Sequence, residues 1–381
     1  MTRVVPDERS AAPARRWDWR AVRDRLLADP RFQRWAAAFP PTRRIARRES
    51  RALFDLCAGF VYSQVLFACV ELRLFDVLRH GPYATQGLAT RLGLEPAAAR
   101  RLLGAASALR LVEGDDASGW RLGPLGAVMS GSPGIAAMVE HHRLLYDDLR
   151  DPVALLRGRA PPTRLAQFWS YARSDASTAV DPASVAAYST LMSASQSLVA
   201  DDVLDAYPVH RHRCLLDVGG GEGAFLAAVA RRTPRLRLML FDLPPVAARA
   251  RQRLEEAGLA GRVAIHAGDF GVDRLPSGAD LVSLVRVVHD HDDAAVLRLL
   301  RAVRDVLPPD GALLIAEPMS GRAGTEPMSD AYFGLYLLAM GQGRPRTPEA
   351  VMQLLRTAGF RDAQIRPTAR PLLASVVVAR P

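Results

Sequence analysis

The chain has 381 residues, 49% hydrophobic and 24% charged, and all 50 of its basic residues are arginine. Without lysine there is no Schiff-base chemistry of the pyridoxal-phosphate or lysine-aldolase kind, no Walker P-loop and no ordinary protein kinase. The net charge of +10 is uneven: residues 1–51 hold fourteen arginines against six acids, a net of +8.

The length fits two domains, or one with a large appendage. Cys57, Cys69 and Cys214 are isolated in apolar surroundings. They fit a reducing cytoplasm and form neither a disulfide framework nor a zinc site. Met1–Ser10 has charges but no apolar core, so it is not read as a signal peptide.

Residues 1–50 form a basic arm that also carries Trp17, Trp19, Phe32, Trp35 and Phe39. Such a segment is either a solvated tail or a surface that lies on an anionic membrane. Nothing in it resembles a base-reading module, so nucleic acid is the weakest reading. Leu56–Val70 is an uncharged apolar stretch of 15 residues. Spanning a bilayer takes roughly 20, so a buried helix is expected there.

Residues 51–80 read as one or two amphipathic helices ending at Gly81-Pro82. Thr85 is expected to cap a short helix, Gln86–Arg91, that Gly93 ends. Pro96 opens the next helix, which should bury Leu102, Leu103, Ala106 and Leu109. Leu111–Glu113 and Trp120–Leu122, around a Gly/Asp/Ser turn, read as a hairpin. Two helices and a hairpin make a winged helix. It is either a dimerisation module or a DNA binder that uses Arg100, Arg101 and Arg110.

Residues 135–207 look helical, with breaks at Pro152, Pro161-Pro162 and Pro182; Ala186–Val199 should be a helix. From Arg213 the pattern alternates. Strands are expected at Cys214–Val218, Leu236–Phe241, Val263–Ala267, Leu281–Val285 and Gly311–Ala316. Helices are expected at Ala224–Arg231, Pro245–Glu256, Ala294–Leu307 and Pro348–Ala358. Asp362–Pro367 and Leu373–Ala379 close the chain as a hairpin. The fold class is α/β, a doubly wound parallel sheet with a terminal antiparallel strand, behind a mostly helical first domain. The divisions are 1–50, 51–200 and 201–381.

In the second domain a buried strand runs through Asp217 into the turn Gly219-Gly220-Gly221-Glu222-Gly223, which opens a helix. Glycine lets a ligand approach the backbone at the carboxyl end of such a strand. Asp242 ends the next strand, where an acid accepts bonds from ribose hydroxyls. Asp217 would repel a pyrophosphate but suits a sulfonium or ammonium group. Gly268-Asp269-Phe270 places a carboxylate and a ring near an adenine, although Asp269 also reads as a helix cap.

Arg286-Val287-Val288-His289-Asp290-His291-Asp292-Asp293 follows the fourth strand. His289 is placed to act as a general base, and Glu317 at the next strand end is placed to fix its tautomer. Residues 289–293 are also rich in metal-ligand types, but neighbours on one strand end point to opposite sides, so no metal is assigned.

Asp217-Val-Gly-Gly-Gly-Glu-Gly, Phe241-Asp242-Leu-Pro, Gly268-Asp269-Phe270, Arg286-Val-Val-His289-Asp290 and Ala316-Glu317-Pro318 occur in this order. The set resembles the successive motifs of the S-adenosylmethionine-dependent small-molecule O-methyltransferases, which also carry a winged-helix dimerisation domain. The resemblance covers residues 51–381. It implies a Rossmann-like sheet, a homodimer, and S-adenosyl-L-methionine held by Asp217, Gly219, Gly221, Asp242, Asp269, Phe270 and Arg286. It also implies His289, Glu317 and Asp290 as the catalytic group.

Within that family, Pro30–Ala37, Ile45–Arg48, Ala52–Leu66 and Val285–Asp293 are similar to the carotenoid O-methyltransferases of purple photosynthetic bacteria. That likeness implies a lipophilic acceptor carrying a tertiary hydroxyl. It further implies a cytoplasmic enzyme, peripheral to the photosynthetic inner membrane. Bacteriochlorophyllide C-methylation, polyketide O-methylation and a ligand-sensing regulator are the alternatives. One departure stands out: the plant enzymes have a second glutamate where this chain reads Gly343-Arg344-Pro345-Arg346-Thr347. His289 is therefore expected to lack one carboxylate partner. Tyr188, Met192, Tyr332, Phe333, Tyr336 and Met340 are expected to outline an apolar acceptor pocket.

Overall fold

The computed structural model describes residues 18–168, 196, 199–322 and 324–381. The expected break at Pro182 and most of the expected helix Ala186–Val199, with Tyr188 and Met192, lie outside those residues.

Residues Met1–Ala68 form one compact unit and Cys69–Pro381 a second. In the first unit the basic segment is helical from Trp19 onward, over Trp19–Ala28 and Pro30–Ala38. The reason is local. Asp18 accepts the backbone N–H groups of Arg20 and Ala21, Asp29 accepts that of Arg31, and Pro30 occupies a first helical turn.

A 29-residue helix follows, Arg43–Glu71. It begins before the expected boundary at residue 51, because arginine is a good helix former even without apolar periodicity. The expectation that Leu56–Val70 is buried fails. Leu56 is 80% exposed and Phe60 72%, and of the whole helix only Cys69 and Val70 are buried. By length and composition this helix is apolar enough to cross a membrane.

The second unit contains the winged helix: Thr85–Leu92, Pro96–Ala108, then β1 (Val112–Glu113) paired antiparallel with β2 (Arg121–Leu122). Leu103 and Ala106 are buried as expected, whereas Leu102 and Leu109 are only half-buried. Thr85 is not the cap but the first helical residue. Its hydroxyl bonds the Asp116 carboxylate and accepts the Trp120 indole N–H at 2.9 Å, which pins the wing to the helix. Helices Pro133–Asp148, Pro152–Leu156 and Arg164–Phe168 follow.

The sheet has β3 (Cys214–Val218), β4 (Arg237–Asp242), β5 (Val263–Ala267), β6 (Leu281–Val285), β7 (Ala312–Glu317), β8 (Arg361–Arg366) and β9 (Ser375–Arg380). Their order is β5-β4-β3-β6-β7-β9-β8. All pairs are parallel except those made by β9, the expected antiparallel strand.

Side chains alternate between two cores. Leu215, Leu240 and Leu314 face one layer, with Phe225, Ala250 and Val203. Leu216, Leu284 and Ile315 face the other, with Leu299, Val303 and Leu355. Both faces are covered, so β3, β6 and β7 are buried throughout. The strand order reverses between β3 and β6, and the ligand crevice of such a sheet opens beyond the carboxyl ends there.

Candidate active site

The Asp217 carboxyl is buried at the end of β3. Its Oδ1 accepts the Ser283 hydroxyl at 2.5 Å, and its Oδ2 has no partner. Burial pushes it up to about 7, and the nearby Asp242 adds to the rise. Gly219 takes φ +68°, and a Cβ there would stand 2.8 Å from a Val287 methyl, so only glycine closes the turn. Asp242 accepts the N–H groups of Gly221 at 2.7 Å and Leu243 at 2.8 Å. Burial still pushes its carboxyl up to about 6.

The buried carboxylate of Asp217 and the half-buried one of Asp242 are costly unless donors or a cation complete them. The open oxygen of Asp217 and the remaining lone pairs of Asp242 therefore fit a cationic ligand with hydroxyl donors. Glu222 escaped the sequence reading. It is buried in the loop and held by Arg249 at 2.6 Å and Arg253 at 3.3 Å, tying the turn to the helix Pro244–Glu256.

Asp269 follows β5 and accepts the Gly271 N–H at 2.7 Å, so it caps a turn in its own loop, not a helix. Phe270 is half-buried and meets the His291 ring edge-on at 5.1 Å. Arg286 leaves β6 with φ +59°, an uncommon conformation for a residue with a side chain. Its N–H bonds the Ala316 carbonyl at 2.8 Å, and its positive charge acts on His289, Asp290 and Tyr332.

His289 is buried in a short 3₁₀ turn, Val288–Asp290. Glu317, at the end of β7, accepts the N–H groups of Val287 and Val288 on Oε1 at 2.9 and 2.6 Å. Its other oxygen bonds His289 Nδ1. His289 Nε2 lies 3.1 Å from Asp290 Oδ1. Burial alone would lower the imidazole, but the Asp290 and Glu317 carboxylates outweigh it, so its pKa is raised. Burial raises Asp290, against the pull of His289 and His291. The other acids of the cluster have different partners: Asp292 caps the next helix and Asp293 holds Arg344 and Arg346.

The loop with the proline departure grips this turn. A Cβ on Gly343 would stand 2.2 Å from the His289 carbonyl, which accepts the Arg344 N–H at 2.9 Å. Arg346, 3% exposed, donates to the carbonyls of Val288 and His291 at 2.7 Å and to Asp293. Pro345 supplies no carboxylate, so the second glutamate of the plant pattern has no counterpart in this loop, and Asp290, the residue after His289, lies beside the second nitrogen.

Aromatic rings continue from the imidazole. His289 meets Phe333 at 5.9 Å, Phe333 meets Tyr332 at 5.0 Å, and Tyr332 stacks on Tyr336 at 5.8 Å. Tyr332 closes a π-helical turn, Pro327–Tyr332, ahead of the helix Phe333–Met340; such turns are frequent at functional sites. Met340 is fully buried with Leu145, Leu155 and Leu165, behind the rings. Two residues were missed. His141 Nε2 bonds the Tyr336 hydroxyl and His142 Nε2 the Tyr332 hydroxyl, each at 2.8 Å.

Residues 146–361 match the O-methyltransferase domain family and residues 54–131 the O-methyltransferase dimerisation domain. The chain is 48% identical over 355 residues to demethylspheroidene O-methyltransferase of Cereibacter sphaeroides, 93% of each chain being covered. It is 41% identical to the enzyme of that name from Rhodobacter capsulatus, over 99% of this chain and 93% of that one. Acetylserotonin O-methyltransferase of Mus musculus is 34% identical, over 84% and 86%. The crystal structure of human N-acetylserotonin methyltransferase in complex with SAM superposes with a TM-score of 0.73 at 26% identity, covering 87% of this chain and 97% of that one.

Proposed function

The chain belongs to the O-methyltransferase family, with both its catalytic and its dimerisation domain, and from that premise we propose that it methylates the tertiary hydroxyl of an acyclic carotenoid. The observation that carries the acceptor is the 48% identity to a demethylspheroidene O-methyltransferase across 93% of both chains. The ring wall beside His289 supports it, since a hydrocarbon polyene packs on such a surface.

S-adenosyl-L-methionine supplies an electrophilic methyl group on a sulfonium. Asp217 would take its positive end, the Gly219–Gly221 turn would let it approach, and Asp242 would accept its ribose hydroxyls. Asp269 and Phe270 would flank the adenine. Arg286 braces the turn between cofactor and acceptor. Glu317 holds His289 with Nδ1 engaged and Nε2 toward the acceptor, and the acceptor hydroxyl displaces Asp290 there. Phe333 and Tyr332 form the acceptor wall, with the buried Tyr336 stacked behind Tyr332 and Met340 packed in the core instead of the pocket.

A tertiary alcohol has a pKa far above the roughly 10 of a phenol. Histidine cannot deprotonate it beforehand, so Nε2 would accept the proton as the oxygen takes the methyl group and the methyl–sulfur bond breaks, leaving a neutral thioether. Alignment of oxygen, methyl and sulfur therefore supplies most of the rate.

The chain is a homodimer through its dimerisation domain. Phe54, Leu56, Phe60 and Val61 stand exposed around the long helix within the segment matched by the dimerisation domain, and a second copy would cover part of this surface. The helices Trp19–Ala28 and Pro30–Ala38 carry Arg20, Arg23, Arg25, Arg31 and Arg34, with Trp19, Leu27 and Trp35 more than half exposed. This pairing of charge and rings suits peripheral contact with an anionic inner membrane, the phase that dissolves the acceptor.

The test offers the purified dimer methyl-labelled S-adenosylmethionine with a hydroxylated acyclic carotenoid, a bacteriochlorophyllide and a polyketide phenol in one mixture. Label is expected on the carotenoid. Label on either competitor alone would overturn the acceptor.

A further inference from the structure

The two histidines on the helix Pro133–Asp148 have no part in the chemistry above, yet both are aimed at the acceptor wall. His142 Nε2 lies 2.8 Å from the Tyr332 hydroxyl, and the Met138 sulfur accepts from that hydroxyl at 3.7 Å. One layer behind, His141 Nε2 lies 2.8 Å from the Tyr336 hydroxyl. Tyr332 is half-buried beside Phe333; Tyr336 and His141 are buried. The ring contacts run unbroken from His289 through Phe333 to Tyr332 and Tyr336.

A tyrosine in a pocket ordinarily offers its hydroxyl to the ligand. Here both phenolic tips already have partners from within the fold, so the wall presents ring faces only. We propose that His141 and His142 are specificity-positioning residues: by occupying the Tyr336 and Tyr332 hydroxyls they select an acceptor whose tail is hydrocarbon and whose only polar group is the hydroxyl at His289. A second hydroxyl along the tail would be buried against rings without a partner, which an unpaired polar group resists strongly.

Both histidines are suited to this work in the neutral state. Burial pushes His141 down to about 4 and also lowers His142. A neutral imidazole donates one N–H to a phenol oxygen and adds no charge beside a hydrocarbon.

This inference rests on the reading of the chain as a hydroxyl methyltransferase with its acceptor beside His289. The experiment separates the two. Two tertiary alcohols of equal length are used, one with an unbroken hydrocarbon tail and one with an added hydroxyl at the tail carbon that would lie against the Tyr332 ring. Their dissociation constants are measured on the full-length dimer loaded with S-adenosylhomocysteine, and methyl transfer is followed in parallel with S-adenosylmethionine. The wild type should bind the plain alcohol at least tenfold more tightly.

His142→Phe frees the Tyr332 hydroxyl and should erase most of that preference. His142→Phe with Tyr332→Phe removes both polar tips and should restore it, which a loss of packing alone would not do. Tyr332→Phe by itself should keep it, and it serves should His142→Phe fail to fold. A wild type with no preference overturns the inference, as does a His142→Phe protein that keeps it or a double variant that does not recover it. Preference in binding without methyl transfer would retain the wall and remove the activity; transfer to both alcohols without preference would do the reverse.

Discussion

Asp217 is kept out of water with one oxygen unbonded, an arrangement that binding can reward and folding alone cannot. Its raised pKa fixes the sign of a pH effect. The folded chain holds this proton up to about 7, whereas an ordinary carboxyl releases it near 3.8. The stability it contributes is complete below that lower value and is lost as pH rises toward 7. Asp217→Asn should therefore stabilise the cofactor-free protein by about 1–3 kcal/mol at pH 8 and much less at pH 4.5, as urea melts would read. It should also weaken S-adenosylmethionine binding in calorimetry. A variant less stable than wild type at pH 8 would contradict the assignment. His289→Ala should lower turnover by roughly 10²–10⁴ with cofactor affinity nearly intact, measured on the same preparation. Much of this site was legible, because Asp217, Asp242, His289 and Glu317 each sit at a strand end that apolar runs announce. His141 and His142 were not: their tyrosine partners lie 195 and 190 residues away in sequence. Asp290 was named, but its contact with Nε2 depends on a turn geometry that spacing does not encode.

Among the elements, strands were read to within two residues, since fully buried parallel strands appear as short apolar runs bounded by turn residues. The long helix was misplaced because its first turns are arginine-rich and carry no apolar stripe. In sequence the loop Gly343–Thr347 is only a departure from the plant pattern; in the fold it is a mechanical clamp. Arg346 is buried and joins the loop to the catalytic turn through two carbonyls and Asp293. Arg344 binds the same aspartate from an exposed position. Exposed pairs contribute about 0–1 kcal/mol, whereas buried bonds to a charged group contribute about 1.5–3 kcal/mol each. Arg346→Met should therefore cost about 2–4 kcal/mol of unfolding free energy and lower turnover, and Arg344→Ala should do little of either. Equal effects in thermal melts and initial rates would show that the clamp is not where the structure places it.

At the scale of the molecule, reading one chain in isolation assigned Leu56–Val70 to an internal core. Its apolar side chains instead stand exposed on this chain, in a segment matched by the dimerisation domain. A sequence reports that a surface is apolar but not which copy covers it. The basic helices pose a similar question with a different partner. Each arginine near an anionic surface contributes about 1 kcal/mol, and salt weakens the attraction. Deleting residues 1–41 should leave cofactor binding and the dimer intact in calorimetry and sedimentation. It should reduce pelleting with anionic liposomes at low salt and slow methylation of membrane-dispersed carotenoid more than of a detergent-solubilised one. Equal pelleting of both proteins would leave the arm without a membrane role.

Methyl transfer to the oxygen of an acyclic carotenoid alcohol is read from the position of the transferred group. The full-length dimer is incubated with carbon-labelled S-adenosylmethionine and the hydroxylated carotenoid, and the product is examined by mass and carbon NMR. A single labelled methyl with the chemical shift of a methyl ether is expected, formed roughly 10²–10⁴ times more slowly when His289 is replaced by alanine. Label on carbon, or tight S-adenosylhomocysteine binding with no labelled product at all, would contradict it.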